Sequence, residues 1–300
     1  MADLDLRPLS LGEILDRTFT LYRRNFLLFL GVAALPHLLV LVLNLSQTIV
    51  LPTVGRQAPT ANSQLYAGGA LGIVALVARL LAYMFSQGGT VYAVSELYLG
   101  RPIGIGQSFG RLRGELGNLF GVLFLNGLLV FGAPVACFIG AVVGGAPALV
   151  LLGFVLLIFP GFYFACRLLV CVPAALLENI GPRTSLERSF TLTKDNALRA
   201  FIIYVLYLIL LYAASGLLSW PFIFGVASAQ KDPVMLRTWL SLTQVGAFAA
   251  EVLVSPVLTI AAAVYYFDLR VRKEAFDLQF MMNPTGPISP GAPGVARTLS

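Results

Sequence analysis

Long hydrophobic runs, separated by short polar stretches, dominate the pattern along the chain. A helix needs about 20 mostly apolar residues to cross the hydrocarbon core of a bilayer. Six stretches reach that length, at 26–50, 69–97, 119–143, 148–177, 200–224 and 242–267. No run alternates with a period of two, and backbone groups cannot stay unpaired in lipid, so helices are favoured over a barrel. The pattern predicts an all-α, polytopic membrane helix bundle with six transmembrane helices.

Shorter amphipathic stretches precede the odd-numbered spans, with apolar residues at helical spacing and charged residues on the other face. The apolar positions are Leu11, Leu15, Phe19, Tyr22 and Phe26, then Ile105, Phe109, Leu112, Leu116 and Phe120, then Leu186, Phe190, Ala197 and Phe201. Ser10 with Glu13, and Thr184 with Glu187, have the spacing of a capping box. These regularities predict three repeats, each an interfacial helix followed by a helical hairpin. Convergent helix-boundary chemistry without common ancestry is the alternative.

Cationic residues are strongly biased to one side of the predicted bundle. Most of the 20 Lys and Arg residues lie in the N-terminal segment, the second-to-third and fourth-to-fifth loops, and the C-terminal segment. Arg56, Lys231 and Arg237 are those in the opposite loops. Because cytoplasmic loops are enriched in Lys and Arg, both termini are expected in the cytoplasm. The excess of Arg over Lys, with abundant Ala and Gly, favours a bacterial source and hence the inner cell membrane.

Composition agrees with the membrane class. Charged residues make up only 11% of the 300 residues, whereas a soluble domain has about 25%. The net charge of +6 is spread over short loops, which argues against nucleic-acid binding. Cys137, Cys166 and Cys171 lie in apolar runs and are predicted to be packing thiols. The membrane domain is predicted to cover residues 1–282, and the Pro- and Gly-rich residues 283–300 to form a disordered cytoplasmic tail.

Three stretches carry a resemblance to a known family. They are RPLSLGEILDRTFTLYRRNFLLFLGVAALP at 7–36, VPAALLENIGPRTSLERSFTLTKDN at 172–196, and YYFDLRVRKEAFDLQF at 265–280. Together they resemble the glycerophosphoryl diester phosphodiesterase membrane domain family. In fused members of that family, the hydrolytic chemistry belongs to a separate soluble barrel with paired histidines and metal-binding carboxylates. The present chain has a single histidine, so the resemblance implies a stand-alone membrane domain without catalytic residues.

Four polar side chains within the predicted spans form a candidate intramembrane polar site. They are Arg79, Glu251, Arg167 and His37. Placing a charge in the bilayer centre costs at least about 2.5 kcal/mol, so these residues are expected to face the bundle interior and pair. Arg79 and Glu251 each lie 17 residues from an acidic span end, at Glu96 and Asp268. Equal depth predicts an ion pair between them, and a similar count places Arg167 and His37 at a second level.

Two roles are open for this candidate site: a structural clamp, or a polar site for an anionic headgroup or solute. An arginine suits the latter because its planar fork matches phosphate and carboxylate. His37 has no second ligand near it, so a metal site is not expected. No Walker, HExxH, GxSxG or dinucleotide motif lies in a usable context. Catalytic residues, metals and cofactors are therefore not expected.

The first functional hypothesis is a non-catalytic membrane module that presents basic helices to anionic lipid headgroups. Such a module would organise lipids, a protein partner or further copies of itself. The second hypothesis is a small transporter or lipid-handling protein with a polar midplane site. An intramembrane enzyme is the third. A cavity lined by the four polar residues favours transport, whereas a packed bundle with paired charges favours the module.

Overall fold

The computed structural model describes residues 8–57 and 61–274, and these ranges contain helices and no β-strand. Six segments are long and apolar enough to cross a membrane. They are Phe26–Thr48, Ala70–Tyr98, Leu116–Gly144, Ala148–Glu178, Ala197–Ser228 and Pro233–Glu274. The predicted all-α bundle of six spans is confirmed, and the chain is a multi-pass membrane protein. The predicted tail at 283–300 lies outside the described residues.

The described helices follow one another in a recurring order. They are α1 (Leu11–Arg24), α2 (Phe26–Gln57), α3 (Ala61–Tyr98), α4 (Ile105–Leu112), α5 (Leu116–Gly144), α6 (Ala148–Leu156), a π-helical turn (Leu157–Gly161), α7 (Phe162–Arg167), α8 (Cys171–Glu178), α9 (Pro182–Thr193), α10 (Ala197–Ser228) and α11 (Pro233–Glu274). A short helix followed by two spans occurs three times, starting at α1, α4 and α9. This order agrees with the three predicted units. We call the end of the bundle that carries these short helices the short-helix end, and the opposite end the hairpin end.

The residues at the N-termini of α1 and α9 explain where these short helices begin. Ser10 caps α1 and forms the predicted capping box, because its hydroxyl accepts from the Glu13 N–H at 3.3 Å and the Glu13 carboxylate accepts from the Ser10 N–H at 2.6 Å. The predicted box at Thr184 is wrong, since α9 begins earlier, at Pro182. Proline suits the first helical position because it has no N–H to satisfy there.

Each short helix also carries an arginine seven residues after its N-cap. The N-caps are Ser10, Gly104 and Gly181, and the arginines are Arg17, Arg111 and Arg188. Arg17 donates to the Tyr98 hydroxyl at 3.0 Å, and the other two pair with Glu96 and Glu178. All three arginines therefore reach the end of an even-numbered span. The shared register supports a structural repeat more directly than the apolar stripes do.

The fourth span, predicted as one helix over 148–177, is broken. It contains a π-helical turn at Pro160 and leaves the helical path at residues 168–170. A broken membrane helix must have its freed backbone groups satisfied. Here the Arg167 carbonyl accepts from the Ser189 hydroxyl at 2.8 Å and from the Thr193 hydroxyl at 3.1 Å. The break is thus stabilised by α9, which docks against it.

The packed core lies at the short-helix end. Every residue of α11 from Pro256 to Val271 is buried, and Tyr265, Tyr266 and Phe267 are among the largest fully buried side chains. Towards the hairpin end the spans expose large apolar side chains, including Val142, Val143, Leu151, Leu217 and Phe224. Such exposure suits a helix surrounded by lipid tails, which are as apolar as leucine.

Candidate functional site

Three of the four predicted polar residues come together in one pocket between spans. His37 lies on α2, Arg79 on α3 and Glu251 on α11. The pocket is completed by Asn44, Gln244, Val40, Leu41, Ala247 and Phe248. Helices α2 and α3 are held in register where the Gln47 amide donates to the Leu71 carbonyl at 3.1 Å. His37 and Arg79 are separated from that contact by similar numbers of residues. They therefore lie at nearly the same level along the bundle.

His37 is held in a defined orientation. Its side chain is 3% exposed, and its Nδ1 lies 2.8 Å from the Ala33 carbonyl oxygen. A carbonyl oxygen can only accept a hydrogen bond, so Nδ1 carries a proton in this arrangement. The other ring nitrogen, Nε2, lies 3.4 Å from Oε1 of Glu251. The carboxylate of α11 is therefore bridged to α2 through the imidazole.

Arg79 lines the same pocket but, unlike His37, is not buried. It is exposed on α3, next to exposed apolar neighbours such as Leu76 and Leu80. Within the part of the chain that the structure describes, no ion pair joins Arg79 to Glu251 at 4.0 Å or less. The predicted direct pair is thus replaced by the contact between His37 and Glu251. The physical reason is direction, because Arg79 extends towards the surface while His37 lies buried against α11.

The pocket is small and extends towards the hairpin end. Its space of about 40 Å³ holds a few water molecules, since one water needs roughly 10–15 Å³ on the same measure. Asn44 lies two helical turns from His37 along α2, and Gln244 lies two turns from Glu251 along α11. Both steps lead towards the hairpin end. Glu251 lines this pocket, and its side chain is 46% exposed.

Arg167 does not belong to this pocket, which corrects the predicted site. Its guanidinium donates to the Phe190 carbonyl at 2.8 Å and lies over the Phe190 ring, 5.2 Å from its centroid. Arg167 thus fastens α9 to the broken fourth span. The sequence-based count assumed a straight helix ending at Glu178, and the interruption at 168–170 invalidates that count.

A charged network at the short-helix end was missed as a unit. Arg188 donates through Nε and Nη2 to both carboxylate oxygens of Glu178, at 2.9–3.1 Å. The Tyr266 hydroxyl donates to the same carboxylate at 2.8 Å. The guanidinium of Arg270, which is fully buried, lies 4.0 Å from Glu178. Arg188 and Arg270 also pair with Glu274. Helices α8, α9 and α11 are joined by this network.

Two further acidic span ends are paired in similar ways. Glu96 pairs with Arg111 of α4. Asp268 accepts from the Leu9 N–H at 2.6 Å, from Arg272 at 2.9 Å and from Arg199 at 3.4 Å. The last unit is therefore connected back to the segment that precedes α1. The sequence signal was the acidic residue at the end of each even-numbered span, but the partners only become clear in three dimensions.

The electrostatics of Arg188 fit a tightly paired residue. Burial acts to lower the pKa of its guanidinium, but hydrogen bonds and charge from Glu178 and Glu274 outweigh burial, and the pKa is raised. Arg188 therefore stays ionised in this network. Within residues 8–57 and 61–274, no group of three His, Cys, Asp or Glu side chains is placed to hold a metal ion.

Comparison with known proteins adds no relative to this picture. No family model, no curated protein and no solved structure matches the chain.

Proposed function

We propose that this protein is a non-catalytic membrane module that organises membrane lipids or protein partners. In this proposal it resides in a bacterial inner cell membrane, and both termini, with the short-helix end, face the cytoplasm. The observation that carries the proposal is the contrast between the two ends. The short-helix end is packed and the acidic residues that end its spans are paired, whereas the spans beyond it expose broad apolar surfaces.

The resemblance to the glycerophosphoryl diester phosphodiesterase membrane domain family supports the same role. The described parts of all three resembling stretches contribute to the short-helix end, through α1, through α8 and α9, and through the end of α11. In this proposal the membrane domain of that family is a scaffold, and its fused members carry the hydrolytic chemistry in a separate domain.

Exposed cations give the module a surface that can bind lipid headgroups. Several basic side chains at the short-helix end are exposed rather than buried in the network. They are Arg23, Arg24, Arg101, Arg113, Arg183 and Lys194. A surface of this kind attracts anionic lipid headgroups, at about 1 kcal/mol for each basic residue near the membrane surface. Anionic lipids are therefore the preferred partners in this proposal, and nucleic acid is not.

Native mass spectrometry of the protein in mild detergent tests this role. We expect the wild type to retain anionic lipids, a partner protein or a second copy of the chain. Replacing Arg24, Arg113 and Arg183 together by glutamine should reduce the retained anionic lipid and leave the fold intact. A wild-type protein that emerges as a bare monomer, under conditions where other membrane proteins keep their lipids, would contradict the proposal.

A small transporter or lipid-handling protein is the second candidate, and the pocket of His37, Arg79 and Glu251 favours it. The limited space of about 40 Å³ and the packed short-helix end favour the module. Proteoliposomes distinguish the two, because a lipid-handling protein would speed the exchange of labelled lipids between leaflets. A scaffold would leave that rate at the value of protein-free vesicles.

A further inference from the structure

We infer that the pocket of His37, Arg79 and Glu251 binds the phosphate of a phospholipid headgroup or a free tetrahedral oxyanion, together with one proton. The inference concerns a binding site, and it is separable from the scaffold role because it depends on the hairpin half of the bundle.

The contact between His37 and Glu251 favours a proton held between them. The Nδ1 proton is directed at the Ala33 carbonyl, 2.8 Å away, so in a neutral ring Nε2 would carry only a lone pair. That lone pair would face a carboxylate oxygen at 3.4 Å, and two acceptors repel each other. A proton held by either partner makes the contact attractive. Whichever atom holds it, the pair has no net charge.

Arg79 then carries the charge of the pocket. Arginine stays protonated in proteins, and among the described residues Arg79 has no ion pair within 4.0 Å. The other elements packed there contribute no further charge: Asn44 and Gln244 are amides, and Tyr207 of α10, which faces Glu251, is a phenol. A lone cation at this depth is costly in lipid and calls for an anion.

The remaining lining groups favour a tetrahedral oxyanion over a planar carboxylate. Arg79 offers two parallel N–H donors from α3, which match two oxygens of a phosphate. The Asn44 amide on α2 and the Gln244 amide on α11 line the same space, and their N–H groups suit the further oxygens. Since Arg79 reaches the surface among apolar neighbours, the remainder of a bound phospholipid can stay in the bilayer. The small volume then admits only the phosphate.

Proton binding and anion binding are coupled in this arrangement. When the proton leaves, Glu251 becomes a carboxylate beside a lone pair, and Arg79 across the pocket is the partner that it gains. An ion pair of Glu251 with Arg79 competes with the bound anion. The anion is therefore held more tightly at low pH, and Glu251→Gln, which imitates the protonated acid, should bind without this dependence.

The experiment uses detergent-purified protein with two probes whose own charge does not change between pH 6 and pH 8. Sulfate, followed by calorimetry after removal of lipid, represents the free oxyanion, and phosphatidylglycerol, followed by native mass spectrometry, represents the lipid-borne one. The variants are Arg79→Gln, Glu251→Gln and, as a matched control outside the pocket, Arg237→Gln on the hairpin-end part of α11. Thermal unfolding confirms that each variant is folded.

For at least one probe, we expect the wild type to bind more tightly at pH 6 than at pH 8. Arg79→Gln should weaken that binding by at least about tenfold, as for the loss of a charge-assisted bidentate contact, and Arg237→Gln should not. Glu251→Gln should bind equally at both pH values. Sulfate binding alone identifies a free-anion site, and phosphatidylglycerol binding alone a headgroup site.

The inference is overturned if Arg79→Gln binds both probes as the wild type does, or if neither probe binds the wild type. It is overturned equally if Glu251→Gln keeps the pH dependence of the wild type. Lipid retained equally by the wild type and Arg79→Gln would leave the scaffold proposal intact, so the two proposals can fail separately.

Discussion

Arg188 of α9 and Glu178 at the end of α8 form a two-pronged ion pair, with N–O distances of 2.9–3.1 Å. The side chain of Glu178 is 1% exposed and that of Arg188 is 20% exposed. Because the Tyr266 hydroxyl donates to the same carboxylate, the pair fixes the short helix to two spans.

Replacing Glu178 by alanine should strongly destabilise the protein. Without Glu178, Arg188 and Arg270 share Glu274 as their remaining acidic partner among the described residues. The loss should approach the cost of about 3–5 kcal/mol for an uncompensated buried charge. We expect a clearly lower midpoint of thermal unfolding in detergent. Arg183→Ala on the same short helix is the matched control, because Arg183 pairs with Glu187 at the surface, where its side chain is 90% exposed. Equal losses for the two variants would show that the Glu178 contact has no special weight.

Asp268 should control the attachment of α1. Its carboxylate accepts from the Leu9 N–H at 2.6 Å, while Arg199 and Arg272 donate to the Leu9 carbonyl. In Asp268→Ala, the backbone before α1 loses its acceptor and the two arginines lose a shared anion. We expect faster amide hydrogen exchange in α1, read by mass spectrometry, with little change in α4. Unchanged protection of α1 would show that its apolar contacts alone hold it.

Two glycines on the last hairpin offer a matched test of helix packing. A Cβ at Gly246 would overlap the backbone carbonyl of Leu218, whereas a Cβ at Gly216 would meet only the Trp220 ring at 3.9 Å. Backbone atoms cannot move aside as a side chain can. Gly246→Ala should therefore separate α10 from α11 and lower the unfolding temperature, while Gly216→Ala should leave it unchanged or slightly raised because alanine favours a helix. Equal tolerance of both changes would contradict this close approach.

The spans could be predicted from sequence because length and lack of charge suffice to identify a membrane helix. The predicted start of the fourth span, at residue 148, coincides with that of α6 (Ala148–Leu156). Its interruption could not be predicted, although Pro160 is visible. The break at 168–170 is stabilised by hydroxyl groups of Ser189 and Thr193, which lie on another element. Local sequence carries no signal for a contact made so far along the chain.

Part of the candidate site could also be predicted from the sequence. Counting along helices brought Arg79 and Glu251 to one depth, and both line the same pocket. The count failed for His37, because it placed this residue at the level of Arg167, whereas His37 lines the pocket with Arg79 and Glu251. It failed for Arg167 because the span is broken. Contacts between these side chains depend on the direction in which each one leaves its helix. The depth of a residue in the membrane does not determine that direction.

The orientation of the bundle can be tested by labelling single cysteines from either side of the membrane. In a background without the three native cysteines, we expect Lys231→Cys to react with an impermeant reagent added from outside. Arg113→Cys and Arg183→Cys, which are exposed at the short-helix end, should react only after the membrane is opened. This pattern follows from the bias of cationic residues towards the cytoplasm. A reversed pattern would place the short-helix end outside and would contradict the proposed orientation.

A double-mutant cycle distinguishes the contact seen between His37 and Glu251 from the ion pair suggested by depth alone. Residues in contact show coupling energies of about 0.5–3 kcal/mol, while distant residues act additively. With Nε2 of His37 3.4 Å from Glu251, either single change to alanine leaves a buried or half-buried polar group without its partner. The double change removes both, so its loss of stability should be smaller than the sum of the two single losses. A second cycle combines Arg79→Ala with Glu251→Ala, and both cycles are read by thermal unfolding at pH 6. The second cycle should be closer to additive, because at that pH the proton between His37 and Glu251 keeps the carboxylate from turning to Arg79. Stronger coupling in the second cycle would show that Glu251 pairs with Arg79 in the membrane and would remove His37 as its partner.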